Sequence, residues 1–156
     1  MGGRTRRERE TTAHLLAQVA KLLRERIRVR MEAIGLRRGQ GFILRELGEQ
    51  GGIAQTELAQ QSLVRPATLT PVLQRMERAG LVERRPDEAD QRISRVYLTA
   101  KGEAVRRQAE AIWQELDQEL FAGFSEEERA QLRGFLVRIR DGLRHAGRAE
   151  EGTRAA

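Results

Sequence analysis

The feature that most constrains the fold is a change of hydrophobic period in the middle of the chain. Two short helical patterns, at residues 54–61 and 66–79, are separated by a turn at residues 62–65. Two strand patterns follow, at residues 81–86 and 92–98, with the polar segment DEADQ between them. A helical period that gives way to a period of two predicts a helix pair followed by a β-hairpin.

Longer helical patterns stand on both sides of this central unit. The fold class is therefore mainly α with a small β-hairpin, in the order α-α-α-α-β-β-α-α. Ser125 and Glu128 form a capping-box pattern that opens the last helix, which we expect to end near residue 145. The flanking helices are predicted at residues 11–34, 40–49, 100–122 and 126–145.

Composition excludes several classes of protein. The chain has no Cys, which rules out disulfides, thiolate chemistry and Cys-ligated zinc. We find no clustered His, Gly-rich phosphate loop or nucleophile motif, so we predict no enzyme, cofactor or metal site. No apolar run is long enough to span a bilayer and the basic N-terminus is not a signal peptide, so we expect a cytoplasmic protein without a membrane partner. The net charge of +6 favours a polyanionic partner, although an Arg-rich composition also fits a GC-rich genome.

The second helix of the central pair has the faces of a DNA-reading helix. Leu69, Val72, Leu73 and Met76 repeat at helical spacing and form its inner face. A helix pair followed by a hairpin is the pattern of a winged helix-turn-helix, whose second helix enters the major groove. Pro71 removes one backbone hydrogen bond, so we expect this helix to begin late or to bend. The candidate DNA-binding residues on and before this helix are Arg65, Thr68, Thr70, Gln74 and Arg75.

The hairpin supplies the second candidate contact. Its tip combines acidic residues with a single Arg, and Asp90 stands two residues before Arg92. We expect Asp90 to orient the Arg92 guanidinium so that it reaches a minor groove, with Arg84 and Arg95 on the strands near phosphates. The alternative is a solvated hairpin that contains local ion pairs.

The residues from Thr56 to Gly102 resemble the multiple-antibiotic-resistance regulator (MarR) family. The text that carries the resemblance is TELAQ, followed by ATLTPVLQRMERAGLVERRPDEADQRISRVYLTAKG. The resemblance implies a DNA-binding dimer whose terminal helices interlock, with a small-molecule effector in a cleft between the dimer region and the winged lobe. By position it also implies that Arg92 enters the minor groove with Asp90 as its partner. TLTP is similar to the branch of the family that senses organic hydroperoxides through a Cys, which this chain lacks.

These observations predict a sequence-specific transcription regulator, a ligand-responsive repressor that binds double-stranded DNA as a homodimer on a pseudo-palindromic operator. The terminal helices carry more apolar side chains than a lone winged lobe covers, and a two-fold dimer buries them. The alternatives are a non-specific DNA-compacting protein and a helical adaptor that binds protein. The predicted parts are a flexible basic N-terminus at 1–10, dimerisation helices at 11–35 and 100–146, a winged lobe at 36–99 and a flexible C-terminus at 147–156.

Overall fold

The computed structural model describes residues 10–61 and 66–154. The predicted turn at 62–65, including Arg65, and most of the predicted N-terminal segment lie outside the described residues. The chain forms two compact units, with the boundary inside a long helix after Gln114. The elements are α1 Thr12–Ala33, α2 Gln40–Gln50, β1 Ile53–Ala54, α3 Gln55–Gln61, α4 Pro66–Arg78, β2 Val82–Pro86, β3 Ser94–Leu98, α5 Ala100–Leu120 and α6 Glu126–Arg154.

Local signals explain most of the helix ends. Gly35 follows α1 with φ +79° and Gly80 follows α4 with φ +70°, a backbone conformation that glycine adopts without steric cost. The Thr99 hydroxyl accepts the Gly102 N–H at 3.0 Å and caps α5. The predicted capping box is confirmed at α6, because the Ser125 hydroxyl accepts the Glu128 N–H at 3.2 Å while the Glu128 carboxylate accepts the Ser125 N–H at 2.8 Å.

Two predictions about the elements are wrong, and a third is narrowed. The sheet has a third strand, β1, which pairs with β3 through Ile53 and Val96 and gives the order β1-β3-β2. A strand of two residues is too short to show a period in the sequence. Helix α6 continues to Arg154, because the residues after 145 are mainly Ala, Arg and Glu, which favour helix. Of the two alternatives predicted for Pro71, the late start is excluded because α4 starts at Pro66 and runs through Pro71, and the bend stays a prediction.

The core of the first unit joins helices α2, α3 and α4 to the sheet. Apolar side chains from each of these elements are almost completely removed from water, which supplies the main driving force for folding. The side chain of Val96, on the central strand β3, is fully buried. The most deeply buried members are Leu44, Leu47, Ile53, Leu58, Leu69, Leu73, Met76, Val82 and Val96.

Large apolar side chains remain exposed on the long helices. On α1, Leu22 is 72% exposed and Val29 is 55% exposed, and on α6 Leu143 is 68% exposed. Further exposed apolar residues on these two helices are Leu15, Val19, Phe135, Leu136 and Ile139. Each helix therefore presents an apolar stripe that the single chain leaves in water, which is unusual for a protein that acts as a monomer.

Candidate nucleic-acid interface

Helices α3 and α4 contact each other through apolar side chains and through a side-chain hydrogen bond. Leu69, Leu73 and Met76 occupy the buried side of α4, as their spacing predicts. Across the pair, the Gln55 side-chain amide donates to the Thr70 hydroxyl at 3.0 Å. This bond links the first residue of α3 to the first half of α4.

The opposite side of α4 is exposed and polar. Thr68, Gln74 and Arg75 are all exposed, so three of the predicted base-reading side chains lie on the accessible part of the helix. Thr70 differs, because it is only partly exposed and its hydroxyl already accepts a hydrogen bond from Gln55. We therefore assign Thr70 mainly to the structure of the helix pair.

Pro71 and Arg78 also lie on the exposed side of α4. Pro71 is exposed, and the carbonyl of Ala67, left without its helical donor, lies on the same exposed side. Water satisfies a carbonyl in that position, which explains how the helix tolerates a proline. Arg78 extends along the helix and donates from Nε to the Gln74 carbonyl at 3.3 Å.

The wing is a regular hairpin with a tightly bonded tip. Strands β2 and β3 pair antiparallel, from Val82 opposite Leu98 to Pro86 opposite Ser94. Beyond the last pair, the Asp87 N–H donates to the Ile93 carbonyl at 2.9 Å. The tip is therefore a defined turn, and its backbone places Arg92 at the end of the wing.

Asp87 organises this turn, although sequence reasoning gave it no role. One carboxylate oxygen accepts the Ala89 N–H at 2.8 Å and the Asp90 N–H at 3.0 Å, and the other accepts from the Arg95 guanidinium. The bond from Arg95, together with those from the backbone of Asp90 and Ala89, lowers the pKa of Asp87 to about 2. Asp87 is also one of two buried polar residues in the described part of the chain. Its burial beside an Arg indicates a structural carboxylate.

Arg84 and Arg95, two of the predicted phosphate contacts, make internal ion pairs. Arg95 binds Asp87 and also donates to the Gly52 carbonyl at 3.2 Å, which links the wing to the residue before β1. Arg84 binds Glu77 with 2.6 Å between Nη2 and Oε2, and this bond lowers the pKa of Glu77. These pairs attach the wing to the rest of the lobe, and any phosphate contact by either Arg stays a prediction.

Asp90 and Arg92 are neighbours, but not in the predicted way. The Asp90 carboxylate accepts the backbone N–H of Arg92 at 3.0 Å, so it binds the backbone rather than the guanidinium. A carboxylate two residues before an N–H closes a common type of turn, which explains the arrangement. Arg92 is exposed at the tip. The effect of Asp90 on Arg92 is therefore exerted through the shape of the turn.

Other kinds of site are not formed by the described residues. No three of their His, Asp or Glu side chains are grouped so that they could hold a metal ion. Within the same part of the chain, no helix combines the length and the apolar character needed to cross a membrane. The exposed side of α4 and the wing are thus the features with a clear binding chemistry.

Comparison with known proteins gives consistent matches. A model of the MarR family matches residues 36–94, which include α2, α3, α4 and most of the wing. The transcriptional regulator HosA of Escherichia coli O127:H6 is 39% identical over 93 residues, covering 60% of this chain and 69% of HosA. The HTH-type transcriptional repressor Rv2887 of Mycobacterium tuberculosis is 28% identical over 126 residues, covering 81% and 91% of the two chains. A crystal structure of mutant MarR from E. coli in complex with operator DNA has a TM-score of 0.73 and 26% identity, covering 81% of this chain and 91% of that one.

Proposed function

The chain belongs to the MarR family and is a DNA-binding transcription regulator, and we propose that it acts as a homodimeric repressor on a pseudo-palindromic operator. The observation that carries the proposal is the pairing of an exposed polar side of α4 with a wing that ends in Arg92, both within one lobe. The similar repressor from M. tuberculosis and the MarR complex with operator DNA support the same reading. We expect the protein to work in the cytoplasm.

In this proposal α4 reads bases in the major groove. Gln74 offers an amide that matches adenine, Arg75 a guanidinium that matches guanine, and Thr68 a hydroxyl that bonds either. All three are exposed, so they reach a base edge without breaking the packing of Leu69, Leu73 and Met76 on the buried side. Arg65, which lies outside the described residues, stays a candidate from the sequence alone.

The wing supplies a second contact, with the minor groove beside each half-site. A narrow, A·T-rich minor groove concentrates negative potential and attracts a guanidinium group. Arg92 is suited to it because it is exposed at the tip of a turn whose backbone is held by Asp87 and Asp90. Rigid placement of this side chain reduces the entropy lost on binding.

Dimerisation explains the apolar stripes of α1 and α6. Burying exposed side chains such as Leu22 and Leu143 yields roughly 1.5–3 kcal/mol for each, so a two-fold interface built from both helices would be stable. A symmetric dimer also presents two recognition helices about 34 Å apart, one turn of DNA. A cleft between such a dimer region and the winged lobe would be the place for a reversible small-molecule effector.

The decisive experiment selects bound sequences from a random DNA pool. We expect an enriched inverted repeat with half-sites about one helical turn apart. A non-specific DNA-compacting protein would enrich no sequence, and a protein-binding adaptor would retain no DNA. Light scattering of the same preparation should give about twice the 17.7 kDa mass of the chain, and a monomeric mass with intact helicity would contradict the dimer.

Single substitutions then test whether α4 is the helix that reads the bases. Gln74→Ala should weaken operator binding by about 1–3 kcal/mol per subunit while binding to random DNA changes little, because base contacts carry the specificity. Gln108→Ala, at an exposed position on α5, is the matched control. Equal weakening on operator and random DNA by the Gln74 variant would contradict the assignment.

A further inference from the structure

Arg95 lies on β3 between two partners that are far apart in the chain. Its Nε donates to the Asp87 carboxylate, and its Nη1 donates to the Gly52 carbonyl at 3.2 Å. Asp87 lies at the tip of the wing, whereas Gly52 stands just before β1. The planar guanidinium therefore joins the tip of the wing to the segment between α2 and β1 through two separate nitrogens.

The Gly52 end of this bridge is held by close packing. A Cβ built on Gly52 would lie 2.1 Å from Cε1 of Tyr97, so the Tyr97 ring lies directly against the backbone of this glycine. The next residue, Ile53, pairs with Val96 and is buried. The carbonyl that Arg95 binds thus belongs to a segment that the sheet holds in place.

The Asp87 end of the bridge continues to the tip of the wing. The carboxylate oxygen that does not bind Arg95 accepts the Ala89 and Asp90 N–H groups at 2.8 and 3.0 Å. The Asp90 carboxylate in turn accepts the Arg92 N–H at 3.0 Å. A continuous series of hydrogen bonds and turn residues therefore connects Arg95 with the backbone of Arg92.

The surroundings of Arg95 do not favour a phosphate contact. Its side chain is 35% exposed, and two of its nitrogens already donate, one of them to a carboxylate that offsets its charge. A phosphate that took over this Nε would have to displace Asp87, whose side chain is 11% exposed. Leaving such a carboxylate without its cation is costly.

We propose that Arg95 is a positioning residue for DNA binding, which holds the tip of the wing so that Arg92 meets the minor groove, and that it makes no phosphate contact of its own. This inference rests on the proposed contact between Arg92 and the minor groove. A wing whose shape is already fixed loses less conformational entropy when DNA binds, so the bridge raises the affinity without touching the DNA.

A double-mutant cycle of Arg95→Ala and Arg92→Ala tests the proposal, with binding of the full-length protein to the selected operator as the measurement. We expect Arg95→Ala alone to weaken binding at least ~5-fold, or about 1 kcal/mol, the scale of one hydrogen bond. In the Arg92→Ala background it should weaken binding less than ~2-fold, because the side chain that it positions is gone. Equal losses in the two backgrounds would overturn the proposal, since a phosphate contact or a general loss of stability acts independently of Arg92.

The salt dependence of DNA binding separates a positioning role from a phosphate contact. In the Arg92→Ala background, Arg95→Ala should leave the salt slope unchanged, whereas the loss of a phosphate contact would lower it by about one unit per wing. Arg95→Lys keeps the charge but offers a single nitrogen, which cannot take both guanidinium positions. It should therefore weaken operator binding nearly as much as Arg95→Ala, and wild-type affinity of this variant would contradict the proposal.

A second substitution tests the bridge while Arg95 stays in place. Asp87→Asn removes a negative charge from the wing, so electrostatics alone would tighten DNA binding. It also weakens the bond from Arg95, so the positioning role predicts weaker binding, and tighter binding would overturn it. Arg107→Ala, which removes an ion-paired Arg on α5, is the matched control and should change operator binding less than ~2-fold.

Amide hydrogen exchange of the free protein gives a readout that needs no DNA. Arg95→Ala should speed exchange at the N–H groups of Ala89, Asp90 and Arg92, because the turn that holds them loses its support. The amides of α4 should keep their wild-type rates, which shows that the variant is folded. Unchanged exchange at the tip would refute the bridge.

The outcomes also separate this inference from the proposed function. If Arg92→Ala leaves operator binding unchanged, the contact between the wing and the minor groove is wrong, and the inference falls with it. If Arg92→Ala weakens binding and Arg95→Ala weakens it independently, only the inference is overturned.

Discussion

Gly102, which packs against the backbone of Leu81, should be the glycine that tolerates an added methyl group least. Gly102 lies in the first turn of α5, and a Cβ built there would meet the Leu81 carbonyl oxygen at 1.9 Å and its carbon at 3.0 Å. The obstacle is backbone, so no side-chain rotation relieves it. Gly102→Ala therefore requires α5 and the start of β2 to separate by about 1.5 Å to reach ordinary contact distance.

The expected loss of stability follows from the interactions that this separation breaks. The Leu81 carbonyl accepts the Thr99 N–H at 3.1 Å, and this bond joins the strand before the wing to the cap of α5. Losing it costs about 1 kcal/mol, and the remaining overpacking costs a further 1–3 kcal/mol. The expected loss of about 2–4 kcal/mol in the free energy of unfolding is a large share of the roughly 5–15 kcal/mol that a domain possesses.

Urea unfolding followed by circular dichroism, at one fixed protein concentration, measures this loss. The midpoint for Gly102→Ala should fall by roughly 1–2 M. Gly41→Ala is the matched control, because its Cβ would meet only the flexible Met31 side chain at 3.7 Å and alanine favours helix. Its midpoint should stay the same or rise slightly. A Gly102 variant that unfolds at the wild-type midpoint would refute the clash and the energy derived from it.

Three further predictions concern the wing and its regulation. Because Arg95 and the backbone N–H groups hold the folded pKa of Asp87 near 2, below its ordinary 3.8, this carboxylate stabilises the fold above about pH 4 and the effect is lost as the pH falls towards 2. Acid unfolding should therefore be less steep across that range for Asp87→Asn, and an unchanged profile would contradict this assignment. Arg92→Ala should weaken DNA binding and lower its salt slope by about one unit per wing, and Asp90→Ala should weaken binding too, because the turn that presents Arg92 loses its hydrogen bond. Tighter binding by the Asp90 variant at two salt concentrations would show a purely electrostatic wing. Peroxide should leave operator binding intact apart from slow oxidation of the three Met residues, since the chain has no Cys, and rapid release reversed by a reductant would contradict this.

The parts of the fold that depend on local sequence were predictable. The helix pair, the wing and the ends at Gly35, Gly80 and Ser125 follow from hydrophobic period and from capping, which act over a few residues. The division of α4 into a buried and an exposed side follows from the same period. The resemblance of residues Thr56 to Gly102 to the MarR family reflects the same local pattern, and it predicts a transcription regulator.

The tertiary structure decided what each charged side chain does. The sequence places Arg84, Arg92 and Arg95 in one hairpin, and nothing local distinguishes them. Arg84 binds Glu77 on α4, and Arg95 binds Asp87 and the carbonyl of Gly52, so both guanidinium groups already have partners within the lobe. Arg92 remains exposed at the tip.

The same reason accounts for the strand β1. Ile53 becomes a strand residue only because Val96, far along the chain, pairs with it. A sequence determines directly the interactions between residues a few positions apart, whereas contacts between distant residues depend on how all the elements pack together. For this protein, local sequence determined most of the helices and the hairpin, and tertiary packing determined the strand β1 and the partners of Arg84 and Arg95.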